Sequence, residues 1–266
     1  MTPARARWGL VLLGIIAAAG LLAPWLAPAD PTAIHLEEAL LAPSPHHWLG
    51  TDQLGRDVAS RLLYGARVSL SVGLVAVGLA TLVGIAVGAA AGYFGGLVDA
   101  LLMRAADIML CFPTLFLILA VVAFIGPMLL NIMAVIGLTS WMGIARLVRA
   151  EILSLRTREF VLAARVAGAS PCWIIRRHLL PNALAPILVN ITFGMAGAIL
   201  VESGLSFLGI GIQPPTPSWG NMLSEGKATL GVAWWLTVAP GAAIFLVTLG
   251  CHLVGEGLHG SEAPPA

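Results

Sequence analysis

Apolar residues occur along the chain in runs of about 20 residues with few charges, and more polar segments separate these runs. An α-helix of that length crosses the hydrocarbon core of a bilayer. The pattern predicts six membrane-spanning helices, at 8–27, 68–92, 104–126, 128–148, 183–203 and 232–256. Long polar segments remain at 28–67, 149–181 and 204–231. We therefore expect an all-α polytopic membrane protein with both termini on the same side.

Composition narrows the class of protein further. Of the 266 residues, 59% are hydrophobic and 10% are charged, and the mean hydropathy is +0.94. A soluble domain carries about 25% charged residues, so no separate soluble catalytic domain is expected. The formal net charge of +1 gives no reason to expect nucleic acid as a partner. Cys111, Cys172 and Cys251 are far apart and lack metal-ligand spacing, so we interpret them as packing residues.

The positions of the arginines predict the orientation. Most of them lie near the N-terminus and in the 149–181 segment, which the positive-inside rule places in the cytoplasm. The 28–67 and 204–231 segments then face the outside. The first apolar run has Trp8 and Trp25 at its ends and exceeds the length of a signal-peptide core, which favours an uncleaved anchor helix.

The segment from 151 to 181 alternates apolar residues and arginines at helical spacing. Two short amphipathic helices are predicted, with a break at 168–171. Gly168 suits the left-handed end of the first helix, while Ser170 and Pro171 suit the cap and first turn of the second. From composition alone, these helices either receive another protein or rest on anionic lipid.

The residues of this segment resemble the coupling loop of ABC-importer permeases, in which Glu-Ala-Ala is followed after three residues by Gly and after nine more by Ile-x-Leu-Pro. Leu162 and His178 stand where that family has Glu and Ile, which leaves the role of the missing Glu open. The resemblance implies that one set of residues couples the permease to its ATPases: Phe160, Ala163, Ala164, Arg165, Gly168, Ala169, Leu180 and Pro181.

Two further motifs are similar to the dipeptide/oligopeptide/nickel branch of these permeases. One runs from His47 to Leu70, ahead of the second span, and the other from Glu202 to Gly220. Together they identify the chain as a C-type, second permease subunit, although the last span has Cys251 and His252 near positions where Asn and Asp are usual. The outer-loop or gate candidates are Gly50, Asp52, Gly55, Arg56, Asp57, Glu202, Ser206, Phe207, Gly209 and Trp219.

The resemblance implies a type I ABC-importer permease fold with three parts: anchor helix and outer loop (1–67), permease core (68–258) and a short tail (259–266). It also implies a B-type permease partner, one or two ATPase subunits, an outer solute-binding protein and a lipid surrounding in a bacterial or archaeal inner membrane. The solute would be a peptide or chelated nickel. No cofactor is expected on this chain; ATP and Mg²⁺ belong to the ATPases, because the only lysine, Lys227, lacks the Gly-Lys-Ser/Thr context of a phosphate-binding loop.

Several roles stay open at this point. Gly50 to Asp57 either brace a loop or receive the solute-binding protein, and Glu202 either caps a loop amide or touches the solute. Trp219 either belongs to a loop that folds back and closes the path, or anchors at the membrane interface. His46 and His47 are weak candidates for metal ligands. A lone secondary carrier and an intramembrane serine protease using Ser206 and His252 are further alternatives.

Overall fold

The computed structural model describes residues 3–259, and within that range the chain is built of helices, with a single β-bridge between Thr51 and Asp57. The first helices are α1 (Pro3–Leu21), α2 (Ala23–Leu26), α3 (Val58–Phe94), α4 (Gly96–Leu110), α5 (Thr114–Ile125), α6 (Leu129–Leu138) and α7 (Trp141–Leu155). They are followed by α8 (Glu159–Val166), α9 (Pro171–Ile174), α10 (Leu180–Asn182), α11 (Leu184–Phe207), α12 (Trp219–Gly226) and α13 (Trp235–His259). The all-α prediction is confirmed.

Five helical segments of the described chain are long and apolar enough to cross a membrane: Ala4–Leu21, Val58–Phe94, Leu129–Leu155, Leu184–Phe207 and Trp235–Leu258. The predicted third span, 104–126, is not a single helix. Its two halves, α4 and α5, meet at an angle of 83° and form a sixth span only as a broken one. Pro113 stands at the break, where it restricts the preceding residue and lacks the N–H that a continuing helix needs.

Helices α3 and α7 pack against each other along a row of glycines. Gly84, Gly88 and Gly92 are four residues apart on α3, so they line one face. A Cβ atom added at Gly88 would lie 2.4 Å from the carbonyl oxygen of Ala145 on α7. Such small residues allow two membrane helices to approach closely. This row was not among the predicted features, although its spacing is visible in the sequence.

The two ends of the bundle are defined by the first and last helices. Helix α1 packs along α13, where Gly9 and Gly250 allow close contact, and Arg5 pairs with Glu256 at 3.1 Å. We call the end with this ion pair and with α8–α10 the arginine end. The opposite end, with residues 27–57 and α12, is the loop end. Apart from the helical backbone of residue 259, the predicted tail lies outside the described residues.

The predicted break in the 151–181 segment is confirmed. Gly168 has a φ of +81° after α8, and Ser170 caps α9 by accepting a hydrogen bond from the amide of Trp173 at 3.4 Å. Pro171 occupies the first turn. The first of the two short helices begins at Glu159, later than predicted, because α7 continues to Leu155 and a turn separates the two.

Two predicted boundaries at the loop end lie inside helices. Helix α3 begins at Val58, so the boundary at 67/68 falls within its third turn. Ser206 and Phe207 belong to the end of α11 rather than to a loop.

The interpretation of all three cysteines as packing residues is wrong. Cys251 is buried, but Cys111 and Cys172 are exposed on the protein surface.

Candidate functional site

Four charged side chains, three of them buried and Glu225 partly exposed, meet at the loop end in what we call the charge cluster: Asp52, Arg56, Arg61 and Glu225. Arg56 donates hydrogen bonds to Asp52 Oδ2 at 2.7 Å and to Glu225 Oε2 at 2.9 Å. Arg61 contacts the same two carboxylates, and Asp52 and Arg61 are only 1% and 2% exposed. Two cations thus balance two anions, and the loop, α3 and α12 are held together by charge-assisted hydrogen bonds.

The turns around this cluster need glycine. Gly50 and Gly55 have φ values of +73° and +71°, which side chains rarely adopt. A Cβ at Gly55 would lie 1.8 Å from the carbonyl oxygen of His35. The Trp235 indole then donates to the carbonyl oxygen of Thr51 at 3.1 Å, which joins the loop to the start of α13. These contacts support the bracing interpretation of Gly50 to Asp57; docking of a solute-binding protein stays a prediction.

Asp57 caps α3 and is linked to a histidine. Its carboxylate accepts a hydrogen bond from the amide of Ser60 at 2.7 Å and lies 3.0 Å from His47 Nδ1. His47 Nε2 in turn lies 3.5 Å from Glu38 Oε2, whereas His46 is exposed. Among the described residues, no three His, Cys, Asp or Glu side chains are placed to hold a metal ion. His47 therefore contacts two carboxylates of the loop, Asp57 and Glu38.

Glu202 is the centre of a second buried group at the loop end. It is fully buried near the end of α11, and its Oε1 accepts hydrogen bonds from Ser206 at 2.7 Å and from Ser218 at 3.0 Å. The hydroxyl of Ser206 also accepts from the amide of Ile212 at 3.1 Å. Because no part of Glu202 is exposed, these contacts support its role in fixing the segment after α11. Contact with a solute stays a prediction.

Glycines allow that segment to fold back on α11. Gly209 has a φ of +81°, and a Cβ at Gly211 would lie 2.4 Å from the Cα of Ser206. Phe207 is 41% exposed and has the Lys227 ammonium 5.1 Å from its ring centroid. The predicted return of this segment over the loop end is thereby confirmed.

Trp219 does not anchor the protein at the membrane interface. It is 1% exposed, and its indole donates to the carbonyl oxygen of Leu62 at 3.1 Å. Its amide donates to Ser69 at 3.2 Å, and Gly65 leaves the space that its ring fills on α3. The interface-anchor alternative is wrong because these hydrogen bonds and the packing draw the side chain into the core.

Helix α12 joins the two buried groups, and sequence reasoning missed two of its residues. Glu225 completes the charge cluster, and Asn221 forms a capping box with Ser218. The sequence contains a feature that indicates each of these two residues. Glu225 is the sole acidic residue of the 204–231 segment, where two arginines of the preceding motif needed an anion, and Ser218-x-x-Asn221 has capping-box spacing.

At the arginine end, the residues of the predicted coupling loop form an exposed surface. Val166 is 89% exposed, Leu162 44% and Phe160 41%, and Ala163, Arg165 and Gly168 are also exposed. Ala164, Ala169 and Leu180 pack partly beneath this surface, and Pro181 is exposed. His178, which replaces the usual Ile, lies 5.9 Å from the Phe160 ring and 4.9 Å from the Trp173 ring. We call the outward side of α8 and α9 the coupling face.

Arginine contacts join the helices at the arginine end, and one of them reaches the coupling face. Arg149 of α7 binds Asp99 of α4 with two hydrogen bonds, the longer at 2.6 Å. Arg156 donates to the carbonyl oxygen of Gly92 at the end of α3 at 3.0 Å, and Arg165 lies 5.7 Å from the Tyr93 ring. The Arg165–Tyr93 contact links α8 to the end of α3, and Val161 of α8 shares a core cluster with Ile152 of α7.

A cavity of about 220 Å³ lies between α3, α6 and α11. Small residues line much of it, including Ala76, Gly194 and Gly197. Ser140 and Asn190 are its polar side chains. The cavity lies between the two ends of the bundle and offers hydrogen-bonding groups within the membrane.

The serine protease alternative fails on geometry. Ser206 is buried at the loop end, where its hydroxyl serves Glu202 and Ile212. His252 lies 17 residues after Trp235, so it is roughly 26 Å further along α13 toward the arginine end. A nucleophile and its base need hydrogen-bond contact.

Comparison with known proteins gives the family. Residues 84–259 match the family described as "Binding-protein-dependent transport system inner membrane component", and residues 5–43 match "N-terminal TM domain of oligopeptide transport permease C". The chain is 41% identical over 256 residues to the dipeptide transport system permease protein DppC of Alkalihalophilus pseudofirmus, covering 96% of this chain and 84% of that protein. It is 45% identical over 254 residues to a putative peptide transport system permease protein of Brucella suis, with 95% and 85% covered.

A solved structure of the inward-facing MetNI methionine ABC transporter shares the fold. The TM-score is 0.58 at 18% identity, over 74% of this chain and 96% of that chain. The relatives named here are peptide permeases, so they give no support to the nickel alternative. The predicted family resemblance is confirmed. With two family matches and relatives that align over nearly its whole length, the chain belongs to the binding-protein-dependent inner membrane components and is a C-type permease subunit of an ABC transporter.

Proposed function

We propose that this permease imports peptides, with its arginine end in the cytoplasm and its loop end outside. The observation that carries the proposal is the coupling face, where apolar side chains are exposed beside arginines at the end of the bundle. An exposed apolar patch of this kind is typical of a protein interface. The peptide substrate is supported by the names of the relatives, which align with nearly the whole chain.

The partners follow from the same surfaces. Cytoplasmic ATPase subunits would bind the coupling face and supply ATP hydrolysis with Mg²⁺, because this chain has no phosphate-binding sequence and Lys227 lies beside Phe207 at the loop end. A similar B-type permease would complete the translocation path. A solute-binding protein would dock outside, where Leu36 and Trp48 of the 28–57 loop are 67% and 64% exposed.

In the mechanism that we propose, ATP binding draws the two ATPases together and displaces α8. Arg156 and Arg149 pass this displacement to α3 and α4 through their contacts with Gly92 and Asp99. The close packing of α3 against α7 makes these helices move as one body. At the loop end, α12 is held by the charge cluster and by Glu202, so it forms the outer closure of the path. Asn190 offers a carboxamide to the peptide bonds of a passing solute.

The test is association and transport by the native complex. The tagged chain, purified from its membrane in mild detergent, should bring a second permease and ATPase subunits, identified by mass spectrometry. Val166→Glu should lower ATPase recovery at least tenfold, because it places a charge at the centre of the coupling face. Val232→Glu is the matched control, since Val232 is 71% exposed at the loop end.

Two results would contradict the proposal. The first is equal recovery of the ATPases with Val166→Glu and with wild type. The second is peptide uptake into vesicles that continues without ATP, which would favour a carrier that works alone.

A further inference from the structure

A narrow apolar crevice of about 480 Å³ opens on the membrane-facing surface between α1 and α3. Leu13 and Ala17 form one wall, Leu70 and Leu74 form the other, and Met195 of α11 forms the floor. The crevice contains little polar surface, because the Ser71 hydroxyl donates to the Val68 carbonyl oxygen of its own helix at 2.7 Å. Its shape and lining fit a hydrocarbon chain rather than water.

A second, larger cavity of about 760 Å³ lies directly beyond the crevice at the loop end. Its walls are more polar and include Asp30, Thr32, Tyr64 and Thr216. Arg67 lines both cavities, so its side chain stands at the junction between the apolar crevice and the polar cavity. An apolar cavity and a polar cavity therefore lie next to each other along α3, with Arg67 in the wall of both.

The junction lies at the depth of lipid headgroups. Trp8 and Trp25 are 70% and 79% exposed near the ends of α1 and α2, and they are separated by roughly 26 Å of helix. That length is close to the hydrocarbon thickness of about 30 Å, and exposed Trp residues mark its two boundaries. Gly20, one turn from Trp25, contacts Arg67: a Cβ at Gly20 would lie 3.2 Å from the Arg67 amide nitrogen.

Arg67 is the cation available at this depth. It is exposed, and within residues 3–259 no carboxylate lies in ion-pair distance of it; the Tyr64 ring centroid is 6.0 Å away. Asp30, which shares the cavity, accepts hydrogen bonds from the Thr32 amide at 2.7 Å and hydroxyl at 2.6 Å. Arg56 and Arg61 are neutralised in the charge cluster. Arg67 therefore offers a guanidinium to an anion from outside the chain.

We propose that a glycerophospholipid binds here, with its phosphodiester on Arg67 and one acyl chain in the crevice between α1 and α3. A guanidinium binds phosphate oxygens through paired hydrogen bonds. From Arg67 to Leu74 the crevice extends about 10 Å toward the bilayer centre, which is the direction of an acyl chain. The bound lipid fills the space between the anchor helix and the core, beside the close approach of α1 to α3 at Gly20.

The experiment measures lipid retention by native mass spectrometry. The full chain, with the subunits that accompany it from the membrane, is titrated with dioleoyl-phosphatidylglycerol and with the dioleoyl-glycerol that lacks the phosphate. Wild type should retain the phospholipid at least tenfold better than the diacylglycerol. Arg67→Gln should lower phospholipid retention about tenfold, which corresponds to the loss of one strong charge-assisted contact.

Three further variants separate the parts of the site. Ala17→Phe fills the crevice and should lower retention of both lipids. Arg67→Lys keeps the charge and should retain more phospholipid than Arg67→Gln. Arg104→Gln removes another exposed arginine, outside the crevice, and should leave retention unchanged.

Two outcomes would overturn the proposal. Equal retention by wild type and Arg67→Gln would mean that no headgroup binds at Arg67. A photoreactive residue at position 74 that labels a second permease instead of lipid would mean that a protein surface covers the crevice.

Discussion

The two ends of this permease differ in whether their key side chains find partners within the chain or remain exposed. At the loop end, Asp52, Arg56 and Arg61 are buried with partners, and Trp219 is enclosed by three helices. At the arginine end, Val166 and Trp173 are exposed although both are apolar. The charge cluster and the Trp219 site of the loop end are thus completed by the chain itself, whereas the coupling face is left for a partner. Side chains at the first end should control folding, and those at the second should control assembly.

The largest expected effect comes from the charge cluster. Arg61→Leu should lower the free energy of unfolding by about 3–5 kcal/mol, because it removes a cation from the buried Asp52 carboxylate and from the partly exposed Glu225. Thermal unfolding in detergent measures this loss. Arg104→Leu, at an exposed arginine, should stay within about 0.5 kcal/mol of wild type. A fully stable Arg61→Leu protein that fails in transport would instead favour a docking role for this motif.

A matched pair of tryptophans sharpens the comparison between the ends. Trp219→Ala should cost about 3–5 kcal/mol of stability, since it opens a cavity in a packed core. Trp173→Ala should cost much less, because this ring is 49% exposed, and should instead weaken ATPase binding. Unfolding midpoints and ATPase co-purification are measured for both variants. Equal destabilisation by the two changes would show that the ends do not differ in this way.

Gly168→Asp tests the coupling face with a substitution that should leave folding intact. Asp tolerates the left-handed conformation better than most residues, and a Cβ at Gly168 has open space, so the protein should insert and fold. ATP hydrolysis should then proceed with little peptide uptake. Gly231→Asp is the control, because a Cβ there also has open space, its φ is not positive, and it is exposed at the loop end. Normal coupling in Gly168→Asp would remove this turn from the coupling mechanism.

The smallest expected effect is that of Glu202→Gln. The amide oxygen of Gln preserves the acceptor for Ser206 and Ser218. The free energy of unfolding should therefore change by about 1 kcal/mol or less. Glu202→Ala should cost more, since it leaves both hydroxyls without this acceptor. The comparison is made by thermal unfolding and by peptide uptake. Normal stability with lost uptake in Glu202→Gln would mean that the charge acts on the solute.

The sequence predicted the parts of the molecule that depend on neighbouring residues. The position of a spanning helix follows from the run of apolar residues, so five of the six predicted spans overlap helical segments long and apolar enough to cross a membrane, although α3 begins ten residues before its predicted span. The turn at Gly168 and the cap at Ser170 also follow from local backbone chemistry. The predicted third span corresponds to a bent pair of helices, α4 and α5, with Pro113 at the break.

The tertiary structure decided everything that depends on residues distant in the chain. The sequence shows that Arg56 and Arg61 need anions, but only folding brings Glu225 to them, since the pairing spans 164 positions or more. An exposed interface Trp and a buried core Trp have the same sequence context, and only the packing of α12 on α3 placed Trp219 inside. Local patterns indicate which segments are helical, because helix formation depends on contacts within a few residues. Burial depends on which helices pack together, and that packing depends on residues throughout the chain.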